Sequence, residues 1–433
     1  MNSTTNSHQK NNSFKRPSST SNFYIELRIK DAVENWPTKK SDKTPKTASV
    51  LKGIRDKILG LKLITIDLDN EDDAYIIFET LNTRGKDLQV SHLVKNHFSR
   101  LLKANNKSID IVKHSWEQLH ETFETSQVDL DVDSFLHHFW LSREDYVTEK
   151  RLFTLMKKSI TKDNAKSNLD DMLSDAKLYR TIGEPGYRKW RNDETHLKST
   201  LEALSIFRVR QPFPLVLSIL RAYQKRQISK KNAEAVLWAI ECFHFTFTAI
   251  ASKSSSGGLS MMYASLAQKI FKASTESEWQ KVLREARDKL KSRLPKRDDF
   301  IVEFKKLRYS DEFTKQKRLV KYVLARIDRH LSKSGVAVDY DKMTIEHVAP
   351  QNPSSPGAIP EDHVGMLGNL LLCDEKLQDK LKNKPFPDKK AVLTASGVAA
   401  KEIIVSKSVW DAAAVEERTQ KLAELAYDQI WKI

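Results

Sequence analysis

Residues that break helices are scarce in this chain, and that scarcity restricts its possible folds more than any other feature. Its 433 residues include only 12 glycines and 13 prolines, whereas Leu, Lys, Glu and Ala, which favour helix, are plentiful. Apolar residues recur with helical spacing in segments such as SWEQLHETF, DSFLHHFWL, FPLVLSILRAY and AEAVLWAIECFHF. We therefore predict a mainly α protein with a helical body over residues 106–330.

Length and composition limit the class of protein further. A chain of this length is expected to form two or three domains. Cys242 and Cys373 lie far apart and form no CxxC motif, so neither a disulfide framework nor a cysteine zinc site is predicted. Because we find no apolar run of about 20 residues and no signal-peptide core, we expect a cytoplasmic protein that does not enter a membrane.

The formal net charge of the chain is +16, which favours a polyanionic partner. The segment Lys281–Arg329 is the most basic, with 17 lysines and arginines against 8 acids, or +9. Two interpretations stay open for it. The segment is either a surface that follows DNA phosphates or a solvated helix face that keeps the protein soluble.

The N-terminal part alternates between loops and short elements. Residues 1–22 contain no acid and almost no apolar residue, so we predict a disordered tail. A linker is predicted from Pro37 to Ser49, with order beginning near Leu51. A strand from Leu61 to Asp69, a helix that stops before Gly85, and a second helix from about Val90 to Lys103 should follow. Two further loops are predicted at Ser252–Gly258 and Leu331–Gly335.

The C-terminal segment has a different pattern. MTIEHVAPQN puts Glu346 and His347 at the end of a short β-like run, and Pro350 turns the chain into a loop. MLGNLLLC, which contains Gly368 and Asn369, forms a second β-like run, and EKLQDKLKNKPF predicts a short helix. We therefore expect strand, loop, strand and helix in succession, and an α+β protein overall.

EHVAP, LGN and LQDKLKNKPF, in this order, resemble the HNH nuclease domain of the GmrSD-type modification-dependent restriction endonucleases over about Asp341–Leu393. The resemblance implies a ββα-metal module within residues 336–433. It assigns the general base to His347, an acidic metal ligand to Glu346, and to Asn369 a positioning role in the catalytic set, fixing the loop by hydrogen bonding. Phosphodiester hydrolysis needs a base with a pKa near neutral and a divalent cation, and a carboxylate site suits Mg²⁺ or Mn²⁺.

Gln378 departs from the family pattern, because the family usually has asparagine or histidine as the helix ligand at that position. Glutamine keeps an amide oxygen on a side chain one methylene longer, so the metal site is either loosened or recruits Asp379 or Asp374. Lys384 and Lys389 have two interpretations, as groups that steady phosphate or as a cluster of solvated lysines.

The N-terminal half carries a second resemblance. DDAYIIFETLNTRGKDLQVSHLVKNHF, from Asp72 to Phe98, is similar to the latter part of the nucleotide-handling domain of the same enzymes. Residues 23–105 would then be a partial nucleotide domain, with Asn82, Arg84 and Gly85 in the cofactor-binding region. That domain normally begins with DGQQR, which this chain lacks. The resemblance implies GTP or ATP binding only if a companion protein supplies the element. The alternatives are a decayed fragment and a capped helix hairpin with Gly85 in its turn.

We predict a metal-dependent endonuclease that cuts double-stranded DNA, the nuclease subunit of a split GmrSD-like anti-phage system acting on foreign DNA with modified bases. A nuclease-inactive DNA-binding or scaffold subunit is the alternative, and a stand-alone homing or repair nuclease is a weaker one. Four histidines do not enter this prediction, because adjacent histidines on a helix diverge by about 100° and suit helix packing better than metal binding. They are His114, His120, His137 and His138.

Overall fold

The computed structural model describes residues 46–62, 89–102, 106–253, 257–332, 338–351 and 359–433. Contacts divide the chain into two compact units, Met1–Phe78 and Glu79–Ile433. In the first unit the structure describes residues 46–62. They form helix α1, Lys46–Leu59, which is followed by a turn at Gly60. The predicted linker is therefore too long, because its last four residues belong to α1. No proline follows Pro45 there, and Ala, Val, Leu and Lys favour the helix.

The second unit is helical over most of its length, and the prediction of a mainly α chain is confirmed. Its first helices are α2 Val90–Leu101, α3 Asn106–Glu124, α4 Val132–Leu141, α5 Glu149–Ser159, α6 Ala165–Gly183, α7 Thr195–Phe207 and α8 Phe213–Gln224. They are followed by α9 Lys230–His244, α10 Gly257–Lys272, α11 Glu276–Lys291, α12 Arg297–Phe304 and α13 Lys317–Leu331.

Helices α8 and α9 lie at the centre of the helical body. Every residue of α8 from Phe213 to Ala222 is buried, and this helix contacts α4, α6, α9 and α10. Helix α9 continues as a π-helical turn, so the helix Lys230–Ile250 is long and apolar enough to cross a membrane. The sequence prediction that the chain contains no apolar run of this length was therefore wrong. Because 67% of its most apolar window is buried inside the protein, core packing accounts for this run.

After α13 the chain forms a two-stranded antiparallel sheet from β1, Thr344–His347, and β2, Leu370–Cys373. His347 pairs with Leu370 and Glu346 with Leu371. Alternate residues of β2 enter different cores, because successive side chains of a strand point to opposite faces. Leu370 and Leu372 join the large core of the helical body, whereas Leu371 and Cys373 join a smaller C-terminal core.

Helix α13 contacts β2, and further helices make up the described C-terminal part. These are α14 Glu361–Val364, α15 Glu375–Leu381, α16 Phe386–Thr394, α17 Glu402–Val405 and α18 Ala412–Leu425. The predicted order of strand, loop, strand and helix is observed. The second β-like run is shorter than expected, because Leu367–Asn369 forms a 3₁₀ turn before β2.

The other loop predictions have mixed outcomes. The loop Ser252–Gly258 is shorter than predicted, since Gly257 and Gly258 already belong to α10. In the loop Leu331–Gly335, Leu331 ends α13 and the last three residues lie outside the described ranges. The tail 1–22, nearly all of the strand Leu61–Asp69, and the helix before Gly85 also lie outside them. Helix α2 agrees with the prediction from Val90.

Candidate active site

A pocket of about 530 Å³ opens where β1 ends. Its walls come from β1, from the loop after it, from α15 and from the segment before α13, and they include Glu346, His347, Gln378 and Asp379. The two residues predicted as base and acidic ligand therefore line one cavity with the predicted helix ligand. Asn369, the fourth residue of the predicted set, lies outside the cavity wall.

His347 is held at the end of β1 by a backbone carbonyl. Its Nε2 lies 3.1 Å from the carbonyl oxygen of Tyr309, and the two rings stack with centroids 5.9 Å apart. A carbonyl only accepts, so Nε2 is the protonated nitrogen and Nδ1 is left as the ring acceptor. Within the described ranges no hydrogen bond occupies Nδ1. The residue is 7% exposed, and it lines the pocket.

Burial lowers the pKa of His347 below 6.5, and the nearby ammonium of Lys389 lowers it further. The hydrogen bond to Tyr309 and the carboxylate of Asp311 act in the opposite direction without reversing the shift. The imidazole is therefore neutral at pH 7, as a proton acceptor must be.

Lys389 is neither a phosphate-steadying surface lysine nor part of a solvated cluster, so both interpretations of it were wrong. It is 1% exposed, and its Nζ donates to Glu346 Oε1 at 2.7 Å and to the His347 carbonyl at 2.6 Å. A buried ammonium requires such partners. Lys384 is exposed, in agreement with one of its two interpretations.

The carboxylate of Glu346 is thus already in an ion pair on one oxygen. Within the described ranges, Oε2 receives no hydrogen bond. Gln378 also has a partner, since Thr344 Oγ1 donates to Gln378 Oε1 at 3.1 Å. Of the two acids suggested as substitutes, Asp379 lines the pocket, whereas Asp374 caps α15 by accepting from Leu377 N at 2.8 Å.

Asn369 is fully buried and uses every hydrogen-bonding position of its amide. Nδ2 donates to the carbonyls of Ala349 and Val364, both at 2.9 Å. Oδ1 accepts from Ala349 N at 2.8 Å and from Trp410 Nε1 at 3.0 Å. Four bonds of this kind fasten the loop after His347 to the turn before β2 and to the C-terminal core.

Gly368 occupies a position where no side chain fits. A Cβ atom there would lie 2.1 Å from the Val415 carbonyl oxygen and 2.3 Å from Thr419 Oγ1. Helix α18 therefore approaches the LGN turn closely. Arg418, which is also fully buried, donates to the Gly368 and Leu370 carbonyls at 2.6 and 2.8 Å. These contacts give the turn and the start of β2 fixed positions.

The pocket offers oxygen donors but no complete ligand set to a divalent cation in the part of the chain that the structure describes. Within the described ranges no group of three or more His, Cys, Asp or Glu side chains has metal-binding geometry. The donors that line the pocket nevertheless have suitable chemistry, because carboxylate and amide oxygens are ligands that Mg²⁺ and Mn²⁺ accept. Any cation there would take few protein ligands and retain several waters.

The other histidines and the cysteines considered in the sequence do not line the pocket. Asn82, Arg84 and Gly85 fall outside the described ranges. His138 Nδ1 lies 2.9 Å from Tyr179 Oη, and His137 Nε2 lies 2.8 Å from the Val147 carbonyl oxygen. Both contacts belong to the packing of α4. Cys242 and Cys373 are buried free thiols.

Sequence reasoning missed several residues of the site. Tyr309 and Asp311 precede His347 by more than thirty positions, and no spacing rule connects them to it. Trp410 lies in the loop before α18 and Arg418 lies on α18, and neither belongs to a motif that the sequence shows. A buried lysine within a run of charged residues, such as Lys389, gives no signal in a single sequence.

Two domain families match the chain. Residues 294–425 match the GmrSD restriction endonucleases, C-terminal domain, and residues 2–99 match the GmrSD restriction endonuclease, N-terminal domain. The pocket around His347 therefore lies within a domain of the restriction endonuclease class. The C-terminal match begins before the predicted module and includes α13 and Tyr309. No curated protein matches the chain significantly.

With one family domain matched toward each end, the chain belongs to the GmrSD-type restriction endonucleases. The resemblance proposed from EHVAP, LGN and LQDKLKNKPF is confirmed at this level.

Proposed function

We propose that the pocket around His347 is a metal-dependent HNH-type phosphodiesterase site that cuts double-stranded DNA. One observation carries the proposal. A neutral imidazole, fixed by the Tyr309 carbonyl, faces a cavity of about 530 Å³ inside a restriction endonuclease domain. Two carboxylates, Glu346 and Asp379, and the Gln378 amide line this cavity, and such oxygen donors suit a divalent cation that would offset the charge of a phosphate.

In this mechanism Nδ1 of His347 accepts a proton from the water that attacks phosphorus. The bond from Nε2 to the Tyr309 carbonyl stabilises the protonated ring that results, since its donor remains paired. Asn369 and Lys389 hold the loop and the strand end, so the base keeps its position during proton transfer.

Glu346 and Gln378 would hold the cation. A bound Mg²⁺ or Mn²⁺ would supply positive charge to the phosphate and to the leaving oxygen. The other side chains act without it. Lys389 orients the Glu346 carboxylate through Oε1, which leaves Oε2 as its available oxygen.

We also propose that the chain works as the nuclease subunit of a split anti-phage system against foreign, base-modified DNA, in the cytoplasm. The match at residues 2–99 together with the missing DGQQR sequence supports this part. A companion protein that carries DGQQR would complete the binding of GTP or ATP.

The first test uses the full chain, with and without the neighbouring gene product, on plasmid DNA in Mg²⁺ or Mn²⁺. Replacing His347 by Ala should lower the cleavage rate by about 10²- to 10⁴-fold, because it removes the general base. His330→Ala is the matched control, since that histidine is exposed and lines no part of the pocket. Equal cleavage by wild type and His347→Ala in every combination would refute the enzyme proposal.

A second candidate function is a DNA-binding scaffold without nuclease activity. The ion pair between Glu346 and Lys389, and the bond from Thr344 to Gln378, favour it because both predicted ligands already have partners. Titration with Mn²⁺ separates the two candidates. A cation that binds only the folded state raises the melting temperature. Salt-sensitive DNA binding with no such rise and no cleavage would favour the scaffold.

A further inference from the structure

Helix α13 has two different faces. Its apolar face, with Val320, Val323, Leu324 and Ile327, is buried, and the helix contacts β2. The rest of its surface carries basic side chains that are exposed or half-buried. We call these residues the α13 basic face: Lys317, Arg318, Lys321 and Arg329.

A second pocket, of about 470 Å³, lies along this face. Helix α7 and the turn at Tyr340 form its other walls. Part of its wall is apolar, from Ala203, Ile206 and Ala325, whereas Arg318, Lys321 and Arg329 line it with positive charge. An apolar wall beside cationic groups suits a ligand that is itself partly apolar and partly anionic.

The charges in this pocket do not cancel. Arg326 is neutralised by Glu241, and Glu202 pairs with Lys198 at 3.1 Å. Asp341 is the other carboxylate on the wall, and Lys321 Nζ donates to its backbone carbonyl at 2.9 Å.

Within the described ranges neither Arg318 nor Arg329 has a carboxylate within 4 Å. The guanidinium of Arg329 lies 5.1 Å from the Tyr340 ring centroid. Burial, followed by the charge of Arg326, lowers the pKa of Arg329. The pocket therefore keeps uncompensated positive charge.

The α13 basic face also reaches the His347 pocket. Lys317 Nζ lies 5.5 Å from the ring centroid of Tyr309, the residue whose carbonyl fixes His347. From Lys317 to Arg329 the helix advances by twelve residues, or roughly 18 Å. Successive phosphates of one DNA strand advance about 3.4 Å along the duplex axis. The face is thus long enough to follow roughly five nucleotides that leave the site.

We propose that the α13 basic face binds the sugar–phosphate backbone of the DNA strand that enters the His347 pocket. The phosphates lie against its cationic groups, and a sugar lies against the apolar wall of the second pocket. This inference rests on the proposed DNA-cleaving function. The inference also divides the basic segment Lys281–Arg329 between its two interpretations. In this proposal α13 contacts DNA phosphates, whereas the basic residues of α11 only keep the protein soluble.

The test measures the affinity of the full chain for a fluorescein-labelled duplex by anisotropy, at salt concentrations from about 50 to 200 mM. Every protein carries His347→Ala, so that the duplex stays intact. Log affinity falls as log salt rises, and the variant Arg318→Gln/Lys321→Gln/Arg329→Gln should make this slope less steep by about 2.7, because three phosphate contacts are lost. Its affinity should also fall at each salt concentration.

The matched control is Lys281→Gln/Arg284→Gln/Arg287→Gln. It removes the same charges from exposed positions on α11, in the same basic segment but on neither pocket wall. This control should keep the slope of the parent protein that carries only His347→Ala. Arg318→Lys/Lys321→Arg/Arg329→Lys should restore most of the slope, which a misfolded protein could not do.

An unchanged slope in the α13 variant, or an equal loss in the α11 control, would overturn the inference. The proposed function is judged separately from cleavage with His347 in place. If wild type cuts DNA through His347 while the α13 variant binds with an unchanged slope, the inference alone fails. If wild type neither binds nor cuts DNA, both fail.

Discussion

At several positions of this protein, the space and the charge around a residue limit which amino acid can occupy the position. Lys389 shows the effect of charge, because a buried ammonium persists only where acceptors such as Glu346 Oε1 and the His347 carbonyl compensate its lost hydration. Gly368 shows the effect of space, because α18 occupies the volume where its side chain would be. Both residues hold the region where the end of β1, with His347, pairs with the start of β2.

Replacing Gly368 by Ala should destabilise the protein by about 3 kcal/mol, at the upper end of the usual overpacking penalty. The new methyl group meets a helix backbone carbonyl, which cannot move without displacing α18. Urea unfolding measures the change. Gly397→Ala is the control, since a Cβ there meets nothing within 4 Å, and its effect should stay within about 0.5 kcal/mol. Equal effects of the two substitutions would show that the turn is not tightly packed.

At the scale of elements, a histidine joins two C-terminal helices. His363 on α14 lies 2.9 Å from Glu416 Oε1 on α18 and 2.7 Å from Asp362 Oδ1. The hydrogen bond to Glu416 is the largest cause that raises the pKa of His363, and the bond and charge of Asp362 add to it. Protonation of His363 therefore strengthens the connection between α14 and α18.

This connection predicts a pH-dependent stability. Because the folded-state pKa lies above the unfolded value of 6.5, the contribution is complete below that value and is lost as the pH rises through the folded-state pKa. His363→Gln should therefore destabilise the protein more at about pH 5.5 than at about pH 9. Urea unfolding at both pH values measures the difference, and Glu416→Gln should reduce it. The same difference from wild type at both pH values would contradict the assignment.

At the scale of the whole second unit, Glu241 connects the helical body to the C-terminal part. This fully buried carboxylate accepts from Thr200 Oγ1 at 2.7 Å, from Tyr322 Oη at 2.6 Å and from Arg326. Trp431 Nε1 in turn donates to Tyr322 Oη at 2.8 Å. The large core likewise includes residues from α2 through to Trp431, so the helical body and the candidate nuclease part share one interior.

Glu241→Leu should lower the free energy of unfolding by about 3–5 kcal/mol, because it leaves the Arg326 charge without its partner. The double variant Glu241→Leu/Arg326→Met should recover most of that loss, since no unpaired charge remains. Thermal unfolding followed by circular dichroism and by tryptophan fluorescence measures both. Two separate transitions, or a double variant less stable than the single one, would argue against a shared interior.

The sequence by itself determined the helical class, the order of strand, loop, strand and helix, and the family. These depend on local properties, namely helical spacing, scarce breakers and short motifs such as EHVAP and LGN. Short motifs also predicted that Glu346, His347 and Gln378 belong to one site, and all three line the same pocket. The catalytic and metal-binding roles of these residues stay predictions. The cofactor-binding role of Asn82, Arg84 and Gly85 also stays a prediction.

Tertiary structure decided what surrounds the imidazole. The Tyr309 carbonyl, the ammonium of Lys389 and the close approach of α18 to Gly368 join segments separated by 38 to more than 40 positions. No periodicity encodes such contacts, because they depend on how helices and strands are arranged in space. The same holds for the α13 basic face, where only packing determines which of many basic residues stay without a carboxylate partner.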